Sequence, residues 1–385
     1  MKILIANNNM NIGGIQKALV NLLREIHNEH DVTLYLFAAK GELMNDIPEN
    51  VKIIEGNRFT RSLGISNDEA KAEGAFAFVR RSAFAVLTRI FGIGVSFGIL
   101  SRLQKIGGKY DAAISFMQNG SFRMFYGGCN EFVINSVKAE RKISFVHCDF
   151  LNYEGNNKYN REYYSKFDRI ACVSESTKKR FVEALGIAED KVWCVSNCCD
   201  REKIELLSEE YEPPYTENTV NIFSASRISR EKGIVRMVPI FRSLKDKGLK
   251  FVWRVAGDGP QLGVLKEQIQ KHGLEKEILL LGMLKNPYPY FRTSDLLLVP
   301  SYNEAAPMVF SEAAVTGIPI LTTDTTSARE MVEDGGLGEV CGLSNESLET
   351  ALERIIRNGT VRNAAAEYTN EKAAAEFNRV IGGCK

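Results

Sequence analysis

The amino-acid sequence predicts an α/β protein built from two doubly wound domains. Short apolar runs such as "KILIAN" and "DVTLYLFA" alternate with helical patterns such as "GIQKALVNLLREIH", which is typical of β-α units around a parallel sheet. The alternation stops in a polar, acidic stretch and starts again with "VNIFSAS". Two such series indicate two Rossmann-like domains, and we expect them to face each other across a ligand-binding cleft.

Domain boundaries follow from where this alternation stops. We predict a first domain over residues 1–200, a linker over 201–218 and a second domain over 219–358. The linker assignment depends on the acidic composition and on the Pro-Pro pair of "EYEPPYTEN". An Ala-rich helical pattern over 359–385 is predicted to pack back on the first domain.

Composition excludes several classes of protein. A chain of 385 residues, 44% of them hydrophobic, can bury a large core. Its net charge of +1 gives no general attraction to nucleic acid, so we expect no nucleic-acid partner. The eight cysteines form no C-x-x-C pair and are interpreted as reduced thiols. The start "MKILIANNN" does not resemble a signal peptide, and the sequence therefore predicts a cytoplasmic protein.

A helix that follows the strand "DLLLVP" is the first candidate for a binding site. In "SYNEAAPMVFSEAAVTGIP", Pro307 suits the first turn of a helix and Gly317 suits its end, which predicts a helix over 307–316. The backbone amides of Met308 and Val309 would then lie at a positive helix end. Such amides bind phosphate or sugar oxygens.

Two glutamates lie beside this helix start. Glu304 is in the loop before the helix, and Glu312 is more than one turn inside it. The E-x7-E spacing by itself is common, and two solvated glutamates would explain it. A carboxylate beside a phosphate-binding helix end is better explained by hydroxyl groups, which ribose and a hexose both offer.

With the following "EAAVTGIPILTT", this spacing resembles the retaining nucleotide-sugar glycosyltransferases of family 4, glycosyl transferases group 1, which have the GT-B fold. The resemblance implies that Glu312 holds the ribose hydroxyls of the donor and that Glu304 contacts the transferred sugar. "SASRISREKG" places Arg227 and Lys232 as the family places its diphosphate-binding cations. Cations are needed there because the leaving nucleoside diphosphate gains negative charge.

Three further matches to the family are weaker. "VAGDGP" contains Gly257 and Gly259, which would let the backbone approach a ligand. "NIGGIQKAL" contains Gly13 and Gly14, whose amides would meet the donor phosphate or sugar. "VHCDF" contains His147, which matches a family histidine next to the donor sugar. Each has a plainer alternative, a tight turn for the glycines and a structural role for the histidine.

The resemblance implies an enzyme that moves a hexose from a nucleotide-diphosphate sugar, with a UDP-sugar expected, to an acceptor hydroxyl. Glycan or lipid-linked acceptors of bacterial cell-surface polysaccharide or glycolipid synthesis are expected. The sequence contains no D-x-D metal motif at a donor-site strand end, so we expect neither a metal nor another cofactor. Two alternatives stay open: a sugar-nucleotide epimerase or phosphorylase on the same fold, and a non-catalytic partner subunit.

Residues 75–105 break the β-α pattern. The segment is strongly apolar but contains Arg80, Arg81, Arg89 and Arg102. Arg89 and the glycines argue against a membrane span. Two interpretations remain: a basic, aromatic helix pair that associates with the cytoplasmic face of a membrane, and a helical hairpin buried in its own domain.

Overall fold

The structure is a computed structural model that describes residues 1–359, 362 and 370–382. The chain forms two compact units. Among the described residues, unit 1 contains 1–198 and 370–382, and unit 2 contains 199–359 and 362.

Unit 1 is built around a parallel sheet of seven strands in the order β3-β2-β1-β4-β5-β6-β7. The strands are β1 (Lys2–Asn7), β2 (Asp31–Leu36), β3 (Lys52–Glu55), β4 (Tyr110–Ser115), β5 (Ala139–Val146), β6 (Arg169–Cys172) and β7 (Val192–Cys194). In register, Ile3 of β1 lies beside Val32 on one side and Ala112 on the other. The strand order reverses between β1 and β4, and such a switch point is where doubly wound sheets bind ligands.

Helices connect these strands: α1 (Gly14–Ile26), α2 (Asn67–Ala72), α3 (Ala75–Phe91), α4 (Ile93–Arg102), α5 (Cys129–Ser136), α6 (Lys158–Tyr164) and α7 (Glu175–Leu185). Ser66 and Ser174 begin α2 and α7 as N-caps, because each hydroxyl accepts a hydrogen bond from the first turn. The core of the unit is rich in aromatic rings, such as Tyr35 stacked on Phe132.

Unit 2 has a parallel sheet of six strands in the order β10-β9-β8-β11-β12-β13. The strands are β8 (Val220–Ala225), β9 (Phe251–Ala256), β10 (Ile278–Gly282), β11 (Leu296–Val299), β12 (Ile320–Thr323) and β13 (Gly338–Cys341). Leu296 and Leu298 of β11 pack in one core cluster, whereas Leu297 and Val299 pack in another. Helices cover both faces of this sheet, which explains the continuous apolar run of the strand.

The helices of unit 2 are α8 (Arg201–Ser208), α9 (Met237–Asp246), α10 (Leu262–Lys271), α11 (Tyr288–Thr293), α12 (Met308–Thr316) and α13 (Asn345–Asn358). Helix α8 lies where the sequence predicted a linker. Its Ile204 is buried against Cys199 and Val315. Asn286 and Arg292 donate hydrogen bonds to the carbonyls of Leu207 and Ser208 at 2.7 and 2.9 Å. Residues 201–208 are therefore part of unit 2.

The last described helix, α14 (Glu371–Ile381), packs on unit 1. The ring of Phe377 lies 6.4 Å from that of Phe145, and the backbone amide of Ser196 donates to Glu376 Oε2 at 2.8 Å. Residues 360, 361, 363–369 and 383–385 of the predicted tail lie outside the described residues. Each unit is a doubly wound parallel sheet, which confirms the predicted fold class.

Candidate functional site

The switch point of unit 2 lies between β8 and β11. The loop after β8 contains Arg227 and Lys232, and the loop after β11 contains Glu304. The two loops are joined by a backbone hydrogen bond of 2.8 Å, which the amide of Tyr302 donates to the carbonyl of Glu231. Parallel strands end at the same edge of a sheet, so residues that are far apart in sequence meet here.

Lys232 and Glu304 form an ion pair across this switch point. Lys232 Nζ lies 2.6 Å from Glu304 Oε1, and Ser301 Oγ donates to the same oxygen at 2.8 Å. The two side chains are only 26% and 10% exposed. A carboxylate accepts more than two hydrogen bonds and an ammonium group donates three, so the pair retains the capacity to bind phosphate and hydroxyl groups.

Arg236 holds the loop after β11 and was not predicted from the sequence. Its guanidinium donates to the carbonyl of Pro300 from Nη2 at 2.7 Å and to the carbonyl of Leu343 from Nη1 at 2.7 Å. It also lies 3.9 Å from the centre of the Tyr302 ring and is 8% exposed. Several cations follow β8 in the sequence, and no local pattern distinguishes the inward one.

Gly233 allows the two loops to approach this closely. Its φ is +67°, and a Cβ atom there would lie 1.9 Å from the carbonyl oxygen of Pro300. An L-residue would meet both the unfavourable φ and this backbone clash. The sequence shows a glycine directly after Lys232. Only the folded structure shows that a side chain at this position would clash with the loop after β11.

Arg227 lies on the same loop as Lys232 and is exposed. Glu231 lies on this loop as well. Partial burial raises the pKa of its carboxyl, but the hydrogen bond from Ser229 and, to a smaller extent, the charges of Lys232 and Arg227 lower it, and the net shift is downward.

Helix α12 begins one residue later than predicted. Pro307 is its N-cap, no side chain caps it, and its first turn contains no acidic residue. The first amides of a helix, here those of Met308 and Val309, have no partner within the helix itself. Gly317 ends the helix with a φ of +71°.

Glu312 points from α12 toward α11 and is only 6% exposed. Tyr288, on α11, donates from its hydroxyl to Glu312 Oε1 at 3.3 Å. Tyr288 was not predicted as a site residue, because nothing in its local sequence pattern links it to a residue 24 positions away.

Close packing within the protein requires glycine at positions 257 and 259. A Cβ atom at Gly257 would lie 1.9 Å from the carbonyl oxygen of Ser226, and one at Gly259 would lie 2.4 Å from that of Ile228. These glycines therefore let the loop after β9 pack on the loop after β8. Their approach to a ligand stays a prediction.

The candidate residues of unit 1 follow β1 and β5. Gly13 is the extended N-cap of α1, and the position of a Cβ atom at Gly14 has no other atom within 4 Å. Burial lowers the pKa of His147 to about 3, although a backbone hydrogen bond at Phe116 acts in the opposite direction. Its Nε2 is buried and has no hydrogen-bond partner among the described residues. His147 is therefore neutral near pH 7.

A metal site would need several ligands close together. In the part of the chain that the structure describes, no group of three or more His, Cys, Asp or Glu side chains could hold a metal ion.

Most of these candidate residues lie in a region that matches a known protein family. The family model of glycosyl transferases group 1 matches residues 209–372. This region is similar to glycosyl transferases group 1. The group 1 region contains Arg227, Lys232, Glu304 and Glu312, so the predicted resemblance is confirmed at the level of this family.

Two curated relatives are similar to parts of the chain. A putative glycosyltransferase EpsF of Bacillus subtilis is 29% identical over 150 residues, which are 39% of this chain and 38% of that protein. The amylovoran biosynthesis glycosyltransferase AmsD of Erwinia amylovora is 22% identical over 238 residues, 60% of this chain and 66% of that protein. In both cases the chain covers less than two thirds of the relative's own length.

A solved structure shares the fold over the chain. The crystal structure of HepE from Anabaena in complex with UDP-glucose superimposes with a TM-score of 0.66 at 18% identity, covering 99% of this chain and 98% of that one. At this identity, the likeness concerns the fold of the chain and not its substrate.

Proposed function

We propose that this protein is a retaining glycosyltransferase of family 4 that moves a hexose from a nucleotide-diphosphate sugar to an acceptor hydroxyl. The observation that carries the proposal is the Lys232–Glu304 ion pair at the switch point of the group 1 region. An ammonium group suits the diphosphate, and the neighbouring carboxylate suits the hydroxyls of the sugar. Both chemical groups of one donor would thus be recognised within a few ångströms.

We assign the donor to unit 2. The uncapped start of α12, at Pro307, Met308 and Val309, offers amides to phosphate or sugar oxygens. Glu312 would bind the ribose hydroxyls, with Tyr288 orienting its carboxylate. A UDP-sugar is the favoured donor, in keeping with the UDP-glucose bound by HepE.

The reaction would depend on electrostatic stabilisation by these side chains. As the bond between the anomeric carbon and the phosphate oxygen breaks, Arg227 and Lys232 would stabilise the negative charge that grows on the diphosphate. The acceptor oxygen would bond to the anomeric carbon on the same face, and its proton would pass to the departing phosphate. Glu304 would stabilise the sugar as it becomes cation-like. Because the two cations supply the positive charge, we expect no metal.

We assign the acceptor, a glycan or a lipid-linked sugar, to unit 1. Synthesis of a cell-surface polysaccharide or glycolipid is in keeping with the amylovoran biosynthesis role of AmsD. A contribution of His147, Gly13 and Gly14 to recognition of the donor sugar stays a prediction from the resemblance.

Titration calorimetry with UDP and GDP, followed by a screen of donor hydrolysis across UDP- and GDP-sugars, tests the proposal. We expect binding of UDP and release of free sugar from one donor, with NMR showing that the anomeric configuration is retained. Release of an epimerised nucleotide sugar would instead indicate an epimerase. Failure to bind either nucleotide would indicate a non-catalytic subunit.

A further inference from the structure

A cavity opens at the amino ends of the first strands of unit 1. It has a volume of about 390 Å³, and its lining includes Lys2, Asp31, Lys52 and Lys105. Sites for small molecules usually have volumes of about 300–1,000 Å³. The candidate residues of unit 1 follow the carboxyl ends of β1 and β5, whereas Lys2 begins β1. A ligand in this cavity would therefore be separate from the candidate functional site.

The strand register places four polar side chains on one face of the sheet. Lys2 of β1 lies beside Asp31 of β2, and Thr33 of β2 lies beside Lys52 of β3. Residues that are neighbours in register point to the same face, as do residues two apart on one strand. Thr33 is only 2% exposed and forms the floor of the cavity, and the exposed Lys2 and Lys52 lie on either side of it.

The wall of the cavity is the loop between α4 and β4, which carries Lys105. Helix α4 is packed inside unit 1, and no helix in the described part of the chain is long and apolar enough to cross a membrane. Residues on both sides of Lys105 anchor the loop. Gln104 Oε1 accepts hydrogen bonds from the backbone amide of Asn57 at 2.6 Å and from Thr60 Oγ1 at 3.1 Å, and Ile106 is 8% exposed. Such anchoring lowers the cost of ordering the loop when a ligand binds.

The three lysines of the cavity are not paired with acidic side chains. Lys109, on the same loop as Lys105, forms an ion pair of 2.8 Å with Glu140. In contrast, no described carboxylate lies within 4.0 Å of the ammonium groups of Lys2, Lys52 and Lys105. Cations gathered in a cleft raise the local concentration of anions, so the cavity suits an anionic ligand.

Groups that suit hydroxyls lie beside these cations. Asp31 is the only carboxylate among the lining residues. Because Oε1 of Gln104 already accepts two hydrogen bonds, its Nε2 group is left to donate, and it has no hydrogen-bond partner in the part of the chain that the structure describes. A carboxylate accepts a hydrogen bond from a hydroxyl group, and an amide nitrogen donates one to it.

We propose that this cavity binds a small phosphorylated polyol, such as a sugar phosphate. The three ammonium groups would bind the phosphate, which carries a charge of about −1.5 to −2 near pH 7. Asp31 and Gln104 would bind the hydroxyl groups. A metal cation would be repelled by the lysines, and an uncharged sugar would leave them without a partner. The proposal does not rest on the proposed function.

Calorimetric titration of the full chain at low salt, with glucose 6-phosphate as the probe, tests the proposal. We expect saturable binding with a Kd below about 1 mM, and the double variant Lys52→Ala/Lys105→Ala should bind at least about tenfold more weakly. Inorganic phosphate should bind more weakly than glucose 6-phosphate, because it offers no hydroxyl groups of a polyol. Glucose should not bind.

The variant Asp31→Asn separates recognition of the phosphate from recognition of the hydroxyl groups. Loss of the negative charge should tighten binding of inorganic phosphate, since the repulsion between two anions is removed. Loss of a strong acceptor should at the same time reduce the preference for glucose 6-phosphate over inorganic phosphate. An unchanged preference would show that Asp31 does not contact the polyol and would overturn that part of the proposal.

Matched controls separate this cavity from a general effect of surface charge. Lys179→Ala/Lys266→Ala removes two exposed cations outside the cavity and should bind glucose 6-phosphate as the parent protein does. Lys232→Ala, in unit 2, should bind it equally well. Unchanged circular dichroism and Tm would show that the Lys52→Ala/Lys105→Ala variant is folded.

Four results would overturn the proposal. They are failure of the parent protein to bind glucose 6-phosphate, equal weakening by the two double variants, loss of binding in Lys232→Ala, and equal affinities for inorganic phosphate and glucose 6-phosphate. Titration with UDP is a separate measurement, so failure of this proposal and failure of the proposed function are distinguishable.

Discussion

Lys232 Nζ lies 2.6 Å from Glu304 Oε1, so a cation from the loop after β8 and an anion from the loop after β11 are held together at the switch point of unit 2. Because both side chains are largely buried, replacing either one leaves the other without its charge partner. Arg227, on the same loop as Lys232, is exposed. The two cations should therefore respond differently to substitution.

Replacement of either cation should weaken binding of nucleoside diphosphate. Hydrogen bonds to charged groups contribute about 1.5–3 kcal/mol, so calorimetry should show a loss of roughly tenfold to a hundredfold for Arg227→Ala and for Lys232→Ala. Only Lys232→Ala should also lower Tm, since it leaves Glu304 unpaired. The control is Lys266→Ala, at an exposed position of α10, which should change neither nucleotide binding nor Tm. If both variants bind UDP as tightly as the parent protein, the two side chains do not contact the diphosphate.

Substitutions of Glu304 and Glu312 should have different effects on steady-state kinetics. If Glu312 binds only ribose, it stabilises the substrate and the transition state about equally, and Glu312→Ala should mainly raise the KM for the donor. Glu304 would act on the sugar as it becomes cation-like, so Glu304→Gln should mainly lower kcat. Tyr288→Phe should raise KM less than Glu312→Ala does. Full kcat in Glu304→Gln together with abolished kcat in Glu312→Ala would reverse these roles.

Arg236 is proposed as a positioning residue for the loop that carries Ser301 and Glu304. A lysine cannot reproduce the separate donors to Pro300 and Leu343, so Arg236→Lys should lower the free energy of unfolding by about 1–3 kcal/mol. It should also raise the KM for the donor at temperatures far below Tm. Arg89→Lys, at an exposed position of α3, should change neither quantity. A lower Tm with an unchanged KM would mean that Arg236 acts on stability alone.

Substitution of Gly233 tests the close contact between the loops after β8 and β11 without an activity measurement. Gly186 and Gly233 have nearly the same φ, +63° and +67°, but only Gly233 has a backbone oxygen where a Cβ atom would lie. Gly186→Ala should therefore cost about 1–2 kcal/mol of unfolding free energy through backbone conformation alone. Gly233→Ala should cost clearly more in the same urea titration and should weaken nucleotide binding. Equal costs for both variants would contradict the close approach to Pro300.

His147 should remain neutral over the pH range in which enzymes are normally assayed. Burial lowers its pKa to about 3, below the value near 6.5 expected in the unfolded chain. The unfolded state thus binds a proton between these values and the folded state does not. The resulting stability is full above about pH 6.5 and is lost by about 1.4 kcal/mol per pH unit on acidification toward pH 3.

NMR of the histidine ring protons checks this directly, with His147→Gln to assign the signal. The His147 resonance should not shift between about pH 5 and 8. A titration midpoint near 6.5 would show that the ring is solvated in the folded protein and would contradict the lowered pKa.

Much of unit 2 was predictable because its signals are local. Continuous apolar strands, the proline and glycine at the two ends of α12, and cations in the loop after β8 depend on residues close together in sequence. The polar composition of 201–218 was misleading because burial of Ile204 depends on Cys199 and Val315, not on the average character of the segment.

By itself, the sequence determined two series of β-α units, and with them the strand edges where Arg227, Lys232 and Glu304 lie. Only the tertiary structure decided that Lys232 pairs with Glu304, that Arg236 turns inward to the carbonyl of Pro300, and that Arg80 and Arg81 bind their own unit. The physical reason is that a periodic pattern fixes an element and its faces. The partner of a long charged side chain is set by whichever loop or helix packs against that face, often many residues away.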